Sequence, residues 1–177
     1  MVPSYHRDLV PGVATYAYEL FHAVPDLDVL YVPIGQGSGI AACTIVRDLL
    51  GLRTRIVGVQ SPGAPAYALS FAAGRVVTTG SAFSLADGMA TRTPDAEALA
   101  IIRAGVERIV LVSDDEIAAA IRAFWTDTHN LAEGEGAGAA GLAAAMQERE
   151  ANLSRKAGVV LCGGHIDLAL FRDWVLG

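Results

Sequence analysis

The segment "VPIGQGSGI" sets Gly35, Gln36, Gly37, Ser38 and Gly39 between an apolar run and an apolar helical pattern. Backbone N–H groups gathered at the mouth of a helix bind phosphate, so this turn is the first candidate site. Taken by itself, a tight strand-to-helix turn that binds nothing is the competing reading. The motif is neither of the two common nucleotide fingerprints. A dinucleotide GxGxxG needs glycine where Ile40 stands and an acid where Gln60 ends the next run, and a P-loop needs Lys-Ser/Thr after its last glycine.

A second candidate is "VVLCGGHIDL", where the Cys162 thiol precedes two glycines. A thiol here is either a small apolar filler or an uncharged hydrogen-bonding partner for a ring nitrogen, which it neither protonates nor ion-pairs. Glu133 and Glu135 lead into a Gly/Ala-rich helix, a position where carboxylates ordinarily serve as dipole partners. Lys156 is the single lysine beside twelve arginines. His6, His22 and His129 have no companions at metal-ligand spacing, His165 reads as a turn or rim residue, and Cys43 and Cys162 make no CxxC pair.

These residues must be positioned by regular elements. Four apolar runs, residues 28–33, 55–59, 108–112 and 157–161, read as strands buried on both faces. Helical patterns follow them or precede the first, at residues 13–23, 39–49, 65–71, 95–104, 114–129 and 138–149. Ser113 with Glu116 three positions on gives the fifth of these a capping box. The alternation predicts an α/β fold, a parallel twisted sheet flanked by helices with right-handed crossovers, in one domain over residues 1–177. Residues 75–93 hold no sustained period, and a loop of that length in a compact domain is expected to be functional. Ligands of open parallel sheets gather at the carboxyl ends of the strands, where residues 35–39, 60–64 and 162–165 could share one pocket.

The totals exclude several classes. A net charge of −6 with arginines scattered singly argues against a nucleic-acid surface. Apolar runs are broken well before about 18 residues, and the start "MVPSYHRDLV" lacks a basic-then-apolar leader, so no membrane span is expected and the chain reads as cytoplasmic.

Taken together, the segments resemble the carboxyl-terminal half of the pyridoxal-phosphate-dependent serine/threonine dehydratases, in the tryptophan-synthase-β-like group. "VPIGQGSGI" is similar to the family's cofactor-phosphate loop, with Gln36 and Ser38 where many members have glycine. "VGVQSPGAPAYALS" is similar to the next strand and turn, with Gln60 in place of the usual Glu. "ADGMATR", "EGAGAAGLAAA" and "VVLCGGHIDL" continue the match in order, the last with His165 in place of the usual Asn. The resemblance implies the large domain of such an enzyme, without its amino-terminal half. It implies pyridoxal 5′-phosphate held by Gly35, Gln36, Gly37, Ser38 and Gly39, Cys162 at the ring nitrogen, and Glu135, or second to it Glu133, bordering the ring.

The implied activity is β-elimination of water from L-threonine or L-serine, giving a 2-oxo acid and ammonia, in a homodimer or higher homo-oligomer. Serine racemases and hydroxyaspartate dehydratases share these loops. The family's cofactor-bearing lysine has no counterpart here, because Lys156 precedes its strand at the opposite edge of the sheet, so the chain alone is expected to be a truncated, inactive portion. A binding module that holds a phosphorylated small molecule is the alternative. With Gln60 and Ala66 neutral where acids would hold a cation, no metal site is expected.

Overall fold

The computed structural model describes residues 5–84, 86–133 and 138–176. Strands β1 (Val29–Pro33), β2 (Arg55–Gln60), β3 (Arg108–Leu111) and β4 (Ala157–Val159) form one sheet in the order β3-β2-β1-β4. Every pairing is parallel, with Tyr31 registered against Val57 on one side and Val159 on the other. Parallel neighbours cannot be joined by a tight hairpin, so the connections are helical crossovers. The helices are α1 (Val10–Ala23), α2 (Ser38–Leu49), α3 (Ala66–Ala73), α4 (Ala96–Gly105), α5 (Asp114–Ala123), α6 (Ala140–Gln147), α7 (Arg149–Asn152) and α8 (Leu168–Phe171).

Strand side chains alternate between faces, and the two faces carry separate cores. Leu30, Val32 and Ile56 pack with Phe21 of α1, Ile40 and Cys43 of α2 and Ile102 of α4. Val29, Tyr31, Val57 and Val59 pack with Ile117 and Ile121 of α5 and the alanines of α6 on the other face. Gly141 lets α6 come down onto the sheet itself, since an added Cβ there would lie 3.1 Å from the Tyr31 carbonyl oxygen. The expected small-residue helix is therefore in backbone-to-backbone contact with β1 and with Val160 just past β4.

The central strands are buried as the apolar runs predict, whereas the outer two are not. β3 and β4 stop at Leu111 and Val159, short of the expected Val112 and Leu161, and each has a neighbour on one side only. Helix ends shift for local reasons. α1 begins at Val10 because Pro11 is tolerated in a first turn, where its missing N–H costs nothing. α5 starts on the predicted capping box of Ser113 and Glu116 but gives way at Phe124–Thr128 to a π-helical turn that ends on His129 with φ 56°. The stretch predicted as one helix over 138–149 is divided into α6 and α7.

Candidate functional site

β1 runs out at Pro33, and the chain turns through Gly37, whose φ of 99° needs glycine, to enter α2. Four carbonyls of this turn have protein donors. Thr91 Oγ1 donates to the Gly35 oxygen at 2.9 Å, Tyr67 Oη to Gln36 at 2.6 Å and Tyr16 Oη to Gly39 at 3.2 Å, while the Ala41 N–H reaches Gly37 at 3.0 Å. The N–H groups of residues 35–39 meet no protein acceptor among the described residues. Ser38 and Gly39 also lie in the first turn of α2, where an α-helix leaves its amides unpaired. The acceptors of the turn are thus committed to the protein and its donors are left over, at the positive end of a helix dipole. Gln36 is exposed, so the turn reaches solvent.

The irregular loop predicted over residues 75–93 lies across the carboxyl ends of three strands. It presses the Gly88 carbonyl against Gly35, where an added Cβ would lie 2.4 Å from that oxygen. Its Phe83 N–H donates to the Gly63 oxygen at 2.9 Å, and Ser84 Oγ donates to Asp114 Oδ1 at 2.8 Å at the start of α5. The "ADG" segment and the glycine turn, recognised separately in the sequence, therefore touch.

Cys162 follows β4, the strand beside β1, and is solvent-exposed as a residue. Desolvation of its sulfur raises the thiol pKa, and the Glu133 carboxylate adds to the shift, so the group stays protonated and neutral. Tyr16, which donates to the Gly39 carbonyl, also meets Cys43 of α2. Its hydroxyl lies 3.2 Å from Cys43 Sγ, and burial first, then Cys43 and Cys162, raise its pKa. Burial pushes the Cys43 thiol up to about 11.

Glu133 holds the turn after Cys162. Its Oε2 accepts the His165 N–H at 3.1 Å, its own N–H donates to the Gly163 oxygen at 3.1 Å, and its side chain fills the space a Cβ on Gly163 would need. Glu135, ranked ahead of it from the sequence, lies outside the described residues. Lys156 sits at the other end of β4, exposed and ion-paired with Asp26, and its carbonyl accepts the Asp28 N–H ahead of β1. Gln60 Oε1 accepts the Ala68 N–H at 2.9 Å, while its buried Nε2 has no partner among the described residues. Among the described residues no group of three or more His, Cys, Asp and Glu side chains is placed to hold a metal ion, and no helix is long and apolar enough to cross a membrane.

Tyr16, Tyr67 and Thr91 escaped the sequence reading. Each lies 23 to 56 positions from the carbonyl it serves, beyond any local pattern.

Residues 1–163 match the family of pyridoxal-phosphate dependent enzymes. The chain belongs to that family. Pyridoxal phosphate is accordingly its cofactor, and the parallel sheet with helices on both faces is that of the tryptophan-synthase-β-like members. Among relatives, the L-threonine ammonia-lyase of Geobacter sulfurreducens is 38% identical over 161 residues, covering 90% of this chain and 39% of that protein. The L-threo-3-hydroxyaspartate ammonia-lyase of Saccharomyces cerevisiae is 30% identical over 183 residues, covering 100% of this chain and 54% of that one. The processed form of threonine deaminase isoform 2 from Solanum lycopersicum has the same fold, with a TM-score of 0.91 at 24% identity over 98% of this chain and 51% of that chain. The chain thus spans about half the length of these relatives or less.

Proposed function

We propose that this chain is the single-domain, phosphate-holding portion of a threonine/serine dehydratase, an ammonia-lyase that removes water from a hydroxy amino acid to give a 2-oxo acid and ammonia. The observation that carries this reading is the set of unspent N–H groups on Gly35, Gln36, Gly37, Ser38 and Gly39, at the start of α2 and beside the turn that bears Cys162. These residues fit the cofactor. The turn offers only donors to a phosphate, with no carboxylate among its residues, and Ser38 can add a hydroxyl. Cys162, kept neutral by its raised pKa, can face the pyridine nitrogen without protonating it. Glu135, or second to it Glu133, would border the ring in this reading.

The bound cofactor supplies an electron sink for the charge that develops at the substrate's α-carbon. The chain's own part is to hold and orient. The α2 amides would anchor the phosphate, the 75–93 loop would cover the carboxyl edge of the sheet against water, and Cys162 would leave the ring nitrogen unprotonated. The proton at the substrate's α-carbon needs a base over the ring, and the single lysine is at the far edge of the sheet, paired with Asp26. The chain alone is therefore inactive in this reading, and a lysine-bearing polypeptide completes it. The substrate is L-threonine or L-serine, and the relation to the yeast hydroxyaspartate enzyme makes a 3-hydroxy acid side chain the second choice.

The test has two arms. The chain should bind pyridoxamine 5′-phosphate in preference to pyridoxamine, ligands that share the ring but offer Lys156 no aldehyde. With L-threonine or L-serine and pyridoxal 5′-phosphate it should release no 2-oxo acid until the lysine-bearing half of a dehydratase is added. Equal affinity for the two ligands would remove the basis of the assignment.

A further inference from the structure

We propose that Tyr67 is a positioning residue for the 35–39 turn: by holding the Gln36 carbonyl behind the turn, it aims the Gly37 N–H outward at the phosphate. The inference rests on reading that turn as the phosphate holder. A planar trans peptide points its C=O and the following N–H in opposite directions, so fixing one fixes the other.

Tyr67 is fully buried on α3, and its hydroxyl donates to the Gln36 oxygen at 2.6 Å while accepting the Asp95 N–H at 3.2 Å. With the accepting side taken by Asp95, the single proton of the phenol is committed to Gln36. Asp95 is itself fixed as the N-cap of α4, where its carboxylate accepts from the Glu97 and Ala98 amides at 2.8 and 3.0 Å. The hydroxyl also lies directly behind Gly37, since a Cβ added there would come within 2.7 Å of it. The peptide between Gln36 and Gly37 thus has its oxygen turned toward Tyr67, and its N–H points away from that hydroxyl, at a buried residue with φ 99°. Burial raises the Tyr67 pKa, so the donor keeps its proton throughout the neutral range. Thr91, hydrogen-bonded to the Gly35 oxygen at 2.9 Å, does for the Gln36 N–H what Tyr67 does for the next one.

The test is Tyr67→Phe in the full chain, which keeps the ring and removes the hydroxyl. Binding of pyridoxamine 5′-phosphate and of pyridoxamine is measured by calorimetry, with circular dichroism as the check on folding. The expected result is about a tenfold loss of affinity for the phosphorylated ligand, the size of one hydrogen bond, with pyridoxamine binding unchanged. A merely structural tyrosine would weaken both ligands alike, and that result, or an unchanged affinity for the phosphorylated one, overturns the assignment. A wild-type chain that does not distinguish the two ligands overturns the reading of the turn itself, a different failure. Should Tyr67→Phe not fold, Thr91→Val takes its place with the same expected selectivity, and an equal loss for both ligands there again overturns it.

Discussion

The turns after β1 and β2 share one plan, a buried strand running into a glycine-bearing bend and then a helix, yet they dispose of their amides oppositely. After β2, Ser61 Oγ accepts the Gly63 N–H at 3.2 Å and Gln60 Oε1 accepts the Ala68 N–H at 2.9 Å, so side chains of the segment consume its donors. After β1, among the described residues, no side chain of the segment accepts from its amides, and hydroxyls arriving from α1, α3 and the long loop take its carbonyls instead. A helix start keeps free donors by what its neighbours withhold, and the presence of glycine does not distinguish the two cases.

The sharpest way to break this contrast is to crowd each bend. Gly35→Ala drives a methyl to 2.4 Å from the Gly88 oxygen, and Gly63→Ala drives one to 1.8 Å from the Phe83 oxygen. Both should cost about 1–3 kcal/mol or more of stability, because backbone cannot yield as a flexible side chain can. Only Gly35→Ala should also abolish the preference for the phosphorylated ligand. Denaturant unfolding with paired ligand titrations checks both, and loss of preference in Gly63→Ala would erase the distinction.

Gln60→Leu probes the satisfied bend at smaller cost. It strands the Ala68 N–H but also removes the unpartnered Nε2, so the two desolvation penalties partly cancel and about 1 kcal/mol of destabilisation is expected, with ligand preference intact.

Glu148 gives a pH-dependent reference outside either bend. Burial pushes its pKa up, but hydrogen bonds from Arg108 and Tyr31 outweigh burial and hold it below the usual carboxylate value. A carboxyl depressed in the folded state stabilises above its unfolded pKa, and that contribution is lost as pH falls through the folded value. Thermal unfolding should therefore show an acid-side loss of Tm below about pH 4.3 that Glu148→Gln flattens. Ligand preference at neutral pH should not move.

The smallest effect is expected at Cys162. With its thiol held neutral, Cys162→Ser should change affinity for pyridoxamine 5′-phosphate by less than about twofold, with no new pH dependence between about pH 6 and 8. A wild-type titration in that window that Cys162→Ser abolishes would show the sulfur ionising and sink its proposed role as a neutral partner.

The centre of the sheet was legible because β1 and β2 are unbroken apolar runs buried on both faces, and the capping box at Ser113 announced α5 without help from tertiary contacts. β3 and β4 were read as equally buried because an apolar residue at a sheet edge looks the same in sequence as one in the middle. The predicted helix to residue 129 missed the π-turn at Phe124, where apolar periodicity gives no sign of one extra residue in the turn. At the candidate site the glycines, Cys162 and the "ADG" segment were readable as local strings. The hydroxyls that hydrogen-bond the turn's carbonyls were not, since their partners meet only once the loop and helices have folded over the sheet. The hold of Glu133 on the turn after Cys162 was not readable, because it depends on Gly163 leaving the side chain room.

The contact between Gly35 and the Gly88 carbonyl has a bearing on how such a chain can drift. A methyl at position 35 collides with main chain contributed by position 88, so neither segment can relocate alone, and both must be inherited as one block. Gly12 and Gly80, with nothing within 4 Å of an added Cβ, are where a mutational library should find alanine welcome, and the tolerance map of this chain should fade from those positions toward the meeting of the two loops.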